Sequence, residues 1–189
     1  MKTDELIEFL ARGAGPAPTA LPARRLAPAA GLGAAASALV ALALFGPIPA
    51  DLYGSVATWI KLVYAASLAS AAAWLTARLA RPVSRLVVPR RAVLAVFTAM
   101  GATGLAAWLG AEPGERAAAL LGYSWSTCPW NVLALSLPAL ACVLWAVRGM
   151  APTRPVAAGF AAGLLAGALG TFGYALSCAE QSPAFVALW

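Results

Sequence analysis

Residues 26–50, LAPAAGLGAAASALVALALFGPIPA, hold no charged side chain. As a helix rising about 1.5 Å per residue, such a run outreaches the roughly 30 Å of hydrocarbon in a bilayer. Pro47 and Pro49 mark its end. Four more stretches read the same way: Leu52 to Ala77, with Lys61 as its one charge before Arg78, then Ala92 to Ala111, Pro129 to Val147 and Pro155 to Ala179. The whole chain of 189 residues is 62% hydrophobic and 11% charged, against about a quarter charged in soluble domains. The expected fold is therefore all-α, a polytopic transmembrane bundle of five complete spans. The tail from Gln181 to Trp189 is too short to cross. Its apolar end, Ala184 to Trp189, reads as a sixth span that stops early, or as a tail lying on the outer surface.

The charges set an orientation. Lys2, Arg12, Arg24, Arg25, Arg78, Arg81, Arg85, Arg90, Arg91, Arg148 and Arg154 fall on one side of the predicted spans, and Arg116 alone on the other with Asp51, Glu112, Glu115 and Glu180. Cytoplasmic loops carry the excess of Lys and Arg, so the expected location is a bacterial inner membrane, multi-pass, with a cytoplasmic N-terminus. The loop 112–128 and the tail after Ala179 then face outward, with Tyr123, Trp125 and Trp130 as interfacial anchors. The net charge of +6 sits in loops, as topology demands. It points to the lipid bilayer as a partner and against direct nucleic-acid binding.

Residues 1–25 form a separate cytoplasmic unit, and 26–189 the transmembrane domain. Asp4, Glu5 and Glu8 exclude a signal peptide. Residues 1–12 read as an amphipathic helix: Thr3 suits an N-cap, acids fill the first turn, and Gly13 and Gly15 stop it. A linker over 13–25 carries Pro16, Pro18 and Pro22. Leu6, Ile7, Phe9 and Leu10 give apolar anchors beside the charges of Asp4 and Glu5, a pattern suited to a protein groove rimmed by basic residues. The same acids oppose an anionic inner leaflet.

Cys128 precedes the fourth span and Cys178 closes the fifth. The two spans form one helical hairpin turning at Arg148 to Arg154, so both cysteines return to similar depth on the outer side. A structural disulfide, a redox- or metal-responsive thiol pair, and two unrelated thiols all fit this spacing. Histidine is absent, so a metal at Cys128 and Cys178 would be a soft one held by thiolates, bound transiently rather than as a resident cofactor. Glu180 is expected to raise the neighbouring thiol's pKa. Cys142, in mid-span, reads as an inert apolar residue.

Lys61 lies nine residues into the second predicted span, an expensive place for an ammonium. It must snorkel, deprotonate or find a partner, and Tyr64 one turn on offers a hydroxyl. The functional reading is a Lys61–Tyr64 coupling pair. Gly159, Gly163 and Gly167 recur every four residues in the fifth span, a spacing that lets helices approach closely and would press this span on its neighbours.

The start Met1-Lys-Thr-Asp-Glu-Leu-Ile, the stretch Trp59-Ile-Lys61-Leu-Val-Tyr64, the boundary Ser126-Thr-Cys128-Pro-Trp-Asn131, and the ending Cys178-Ala-Glu180 through Phe185-Val-Ala-Leu-Trp189 together resemble the NrsF family. These are inner-membrane negative regulators of an extracytoplasmic-function sigma factor. The resemblance implies a six-span anti-sigma factor in a stress response. Its cytoplasmic N-terminus would sequester the sigma factor, and Cys128 and Cys178 would sense metal or oxidation. It implies a regulator, not an enzyme. A membrane thiol oxidoreductase would want a Cys-x-x-Cys or a second outward pair, and neither exists. A transporter using Lys61 would want further polar residues along its spans.

Overall fold

The computed structural model describes residues 3–13, 21–81, 84–150 and 152–188. Lys2, Pro16, Pro18 and Trp189 lie outside them. Eight α-helices follow in order: α1 (Thr3–Gly13), α2 (Leu21–Phe45), α3 (Val56–Leu79), α4 (Val87–Gly110), α5 (Arg116–Leu121), α6 (Cys128–Arg148), α7 (Pro155–Ala175) and α8 (Pro183–Leu188). Among the described residues there is no strand, and five helices, α2, α3, α4, α6 and α7, are long and apolar enough to cross a membrane.

The helix ends differ from the expected spans for local reasons. Leu21–Arg25 are not linker but the first turns of α2. Pro22 is accepted there because the first turn has no intrahelical use for its missing N–H. At the other end Gly46 takes φ +73°, a left-handed value that suits glycine and stops α2 before Pro47. A 3₁₀ turn over Ala50–Gly54 then leads into α3. Ser55 caps α3, its hydroxyl accepting from the Thr58 amide. Lys61 is thus the sixth residue of its helix, only about 7.5 Å of rise from the helix start. The helix α1 begins at Thr3 itself and ends at the expected Gly13.

The core is a stack of small residues. α7 packs along α3, α6 and α2, while α2 also lies along α6. Ala72, Ala139, Ala158, Ala161 and Ala162 are fully buried among Leu165 and Val143. Close approach is made at particular glycines. A Cβ on Gly33 would stand 2.8 Å from the Ala139 Cα, one on Gly170 2.8 Å from the Ser136 backbone, and one on Gly173 2.8 Å from the Ser37 carbonyl carbon. The Ser37 hydroxyl, buried at the α2–α6 contact, donates to the Leu135 carbonyl at 2.7 Å. The stripe expected to do this packing does not: a Cβ on Gly159, Gly163 or Gly167 would meet nothing within 4 Å. Those glycines face away from the bundle, because the buried face of α7 runs through Ala158, Ala161, Ala162 and Leu165 instead.

The helices alternate in direction, which gathers the arginines. Arg24 and Arg25 open α2, Arg78 closes α3, Arg90 and Arg91 open α4, Arg148 closes α6 and Arg154 precedes α7. At this basic end Arg25 Nη1 donates to the Gly149 carbonyl at 2.6 Å, tying α2 to the α6–α7 turn. The opposite end carries Cys128 and Cys178. There the tail turns back as α8 and packs on α4 and α5, with Ala184 and Phe185 buried. Ser182 caps α8, accepting from the Phe185 amide at 3.3 Å.

Substitution separates the two glycine classes. Gly170→Ala is expected to destabilise by about 1–3 kcal/mol, since backbone must shift to admit the methyl. Gly163→Ala is expected to stay within about 0.5 kcal/mol of wild type or gain slightly from helix propensity. Thermal unfolding of the detergent-solubilised chain measures both.

Candidate functional site

The site is built where α7 unwinds. The Leu176, Ser177 and Cys178 amides donate back to the carbonyls of Gly173, Tyr174 and Tyr174 at 3.3, 2.9 and 2.9 Å, and the chain then runs free of helix to Pro183. On the facing helix Cys128 opens α6, its amide donating to the Ser124 carbonyl at 2.7 Å. The hairpin returns the two sulfurs to the same level, as the spacing predicts. Both are free thiols, Cys178 packs against the small buried cluster that holds Cys128, and both line one small cavity. They lie in a small apolar cluster with Ala41, Leu135, Tyr174 and Phe185. Cys142 packs separately against the main core.

Lys61 comes to this pair from α3. Its ammonium is buried, 6% exposed, and donates to the Cys178 carbonyl at 2.8 Å and the Glu180 carbonyl at 2.6 Å. Two charge-assisted hydrogen bonds are worth about 1.5–3 kcal/mol each. This replaces the expected Tyr64 partner, which instead packs against the main core. The reason is geometric: unwinding of α7 exposes carbonyls opposite Lys61, stronger acceptors for a cation than a phenol.

The loop 176–182 is held on every side. The Ile48 amide donates to the Leu176 carbonyl at 3.2 Å. Gln181 joins the hydroxyls of Ser55 and Thr58 at the start of α3. The Ser182 hydroxyl donates to the Ala119 carbonyl at 2.6 Å. The Tyr123 amide donates to Glu180 Oε2 at 2.9 Å. That last bond needs Gly122, whose φ of +58° is left-handed and whose added Cβ would lie 2.5 Å from the same carboxylate oxygen. Asn131 reaches the Tyr174 hydroxyl at 3.2 Å, and Tyr174 meets Phe45 edge-on at 5.7 Å between ring centres.

These contacts set the chemistry of Cys178. The hydrogen bond from Cys128 holds its thiol below the ordinary value, down to about 6. Burial opposes this, the Glu180 amide and the Lys61 ammonium assist, and the Glu180 carboxylate opposes. The Glu180 carboxylate raises the thiol as expected, but the other contacts outweigh it. Its backbone N–H favours the thiolate, while its carboxylate is turned toward the Tyr123 amide.

A cavity of about 60 Å³ adjoins the pair, lined by Lys61, Cys128, Thr171, Tyr174, Cys178 and Phe185 among others. It has room for an ion or a few water-sized groups, and is far below the roughly 300 Å³ at which small-molecule sites begin. Among the described residues no three His, Cys, Asp or Glu side chains are grouped as a metal site. The donor set is two sulfurs without imidazole, which suits a soft ion or a disulfide and not a closed four-ligand zinc site. The serines beside the thiols, Ser124 and Ser177, carry buried hydroxyls without a hydrogen-bond partner.

The second predicted site, α1, stands apart from this cluster. None of its residues is buried. Leu6, Ile7, Phe9 and Leu10 are exposed beside Asp4 and Glu5, and Glu8 pairs with Arg12 at 2.5 Å. Residues 14–20 join it to the basic end of α2. Sequence reasoning missed Gly122, Gln181, Ser182 and Phe185, which hold the loop. The signal it passed over was a run of small polar residues between two apolar segments, where a tail with no structural duty would not need them.

Comparison with known proteins agrees on one family. The profile of NrsF, described as "Negative regulator of sigma F", matches residues 10–189. The chain is 40% identical over 196 aligned residues to the anti-sigma-F factor NrsF of Caulobacter vibrioides (strain NA1000 / CB15N), covering all of this chain and 90% of that protein. It is 39% identical over 195 residues to the probable anti-sigma-F factor NrsF of Azospira oryzae (strain ATCC BAA-33 / DSM 13638 / PS), with the same coverage. No solved structure matches.

Thiol reactivity tests the electrostatics. Alkylation of Cys178 is expected to rise from pH 5 to pH 7 with a midpoint near 6, and to shift toward the ordinary thiol value in Lys61→Met or Cys128→Ala. Mass-mapped alkylation against pH reads this; a midpoint near 9 in wild type contradicts it.

Proposed function

The chain belongs to the NrsF family of negative regulators of sigma F, and from that premise we propose a membrane-bound anti-sigma factor that is switched by its cysteine pair. Five helices cross the inner membrane, and the basic end faces the cytoplasm. Leu32, Leu39, Leu44, Trp145 and Phe160 stand exposed on these helices, as lipid-facing side chains do. The helix α1 grips an extracytoplasmic-function sigma factor: its apolar residues enter a groove on that partner, and Asp4 and Glu5 meet the basic surface with which a sigma factor approaches DNA.

The observation that carries the sensing half is the contact of Cys128 with Cys178, on a loop clamped by Lys61. Oxidation joins the two sulfurs, giving two electrons to a peroxide- or disulfide-class oxidant and releasing the remaining thiol proton. A soft thiophilic ion would supply the alternative by binding both thiolates and displacing that proton. Either event draws the two sulfurs together, or onto a shared ion, and moves Cys178. Its carbonyl is one of the two acceptors on Lys61 among the described residues, so the buried ammonium must be re-satisfied and α3 must adjust. α3 runs from this clamp to Arg78 at the basic end, which makes it the element both ends bias. A coupling of about 1–3 kcal/mol gives a 5–150-fold change in sigma affinity.

Sigma-dependent transcription in cells tests both halves. Deleting residues 3–13 is expected to make output constitutive. Cys128→Ser and Cys178→Ser are expected to keep repression and abolish induction. Repression that survives the deletion removes α1 as the grip, and induction that survives both serines removes the thiols as the sensor.

A further inference from the structure

A second recess lies at the basic end. α4 and α7 both pack on α3 but not along each other, which leaves a groove of about 760 Å³ between them. Leu75 and Leu79 of α3 form its floor, and Val93, Phe160 and Leu164 its walls. Its only charged lining groups are Arg90 on α4 and Arg154 just before α7. Both side chains are exposed, and neither has a carboxylate partner among the described residues.

Charge balance sharpens this. Of the seven acidic residues, Asp4, Glu5 and Glu8 lie on α1, while Asp51, Glu112, Glu115 and Glu180 lie toward the cysteine end. From Leu21 onward the basic end carries Arg24, Arg25, Arg78, Arg81, Arg85, Arg90, Arg91, Arg148 and Arg154 and no acid. Its neutralising anions must come from outside the bundle.

We infer that this groove is a binding site for one anionic phospholipid of the cytoplasmic leaflet, with its phosphate between Arg90 and Arg154 and an acyl chain along Leu79, Phe160 and Leu164. The inference rests on the membrane orientation proposed above. Ten helical steps separate Arg154 from Leu164, about 15 Å, which is half of a roughly 30 Å hydrocarbon layer and so the depth of one leaflet. The groove opens sideways, where lipid stands. Guanidiniums match phosphate oxygens in bidentate geometry, and basic pockets between spans on the cytoplasmic side suit anionic headgroups. The other acidic-apolar candidate, α1, fits less well. An 11-residue helix laid along the groove would carry the Glu8–Arg12 pair below the arginines into apolar surroundings, at the cost of desolvating both. An acyl chain has no polar group to lose.

The test uses the full chain in nanodiscs of mixed phosphatidylglycerol and phosphatidylcholine. A photoreactive acyl-chain phosphatidylglycerol serves as probe, with labelled peptides mapped by mass spectrometry. Wild type is expected to label α4 and α7 facing the groove, with phosphatidylglycerol competing far better than phosphatidylcholine. The double variant Arg90→Gln/Arg154→Gln is expected to lose labelling by roughly thirtyfold. Arg85→Gln/Arg91→Gln, equal in charge lost at the same end, is expected to keep it. Arg90→Lys/Arg154→Lys, which retains charge without the fork, is expected to fall between. Labelling that ignores the first substitution, equal competition by the two lipids, or loss in both double variants overturns the site. So does labelling that appears only once residues 3–13 are deleted, which identifies α1 as the occupant. Labelling of Arg148–Arg154 loop residues, changed singly to cysteine, by an impermeant maleimide on intact cells would instead overturn the orientation on which the inference rests.

Discussion

A buried ammonium must have acceptors, and the cysteine end of this bundle is organised around supplying them to Lys61. The residue enters from α3 into an apolar setting where an unpaired cation costs several kcal/mol. Helical carbonyls are already engaged, so acceptors arise only where a helix stops. α7 stops at Ala175, and the carbonyls of Cys178 and Glu180 turn toward Lys61. The demand of one lysine therefore fixes the path of the loop, and the loop fixes the height of one thiol against the other. Gly122, Gln181 and Ser182 hold that path from the remaining sides.

The same arrangement joins stability to signalling. Two free thiols packed side by side are a poised pair: their packing is undisturbed only while both sulfurs are reduced and unliganded. Because Cys178 contributes its carbonyl to the lysine and its sulfur to Cys128, chemistry at the sulfur acts on the clamp through a single residue. Small residues carry any displacement onward. The α2–α6–α7 contacts at Gly33, Gly170 and Gly173 leave no slack for gradual deformation, and close-packed helices move between discrete arrangements rather than continuously.

Much of the architecture is legible in the sequence because a bilayer imposes length and hydropathy on each span. The five helices, the clustering of arginines at one end, the amphipathic α1 and the similar depth of Cys128 and Cys178 follow from residue spacing alone. Helix ends do not, since Pro22 and Gly46 act through local backbone geometry that hydropathy does not register. The glycine repeat in α7 misled for a related reason. A four-residue spacing describes a stripe without saying which side of the helix meets a neighbour, and the alanines at 158, 161 and 162 took the buried face. The partner of Lys61 was hidden because it is backbone more than a hundred residues away, and side-chain identity carries no trace of which carbonyls a chain leaves free.

Everything proposed for the switch requires the two sulfurs to be neighbours on the intact chain in its membrane. Mild oxidation of membranes holding the full chain, followed by digestion under non-reducing conditions and mass mapping, measures this directly. The account predicts an intramolecular bond between Cys128 and Cys178, with Cys142 left free. Recovery of both sulfurs unlinked, or linked only between chains, contradicts it.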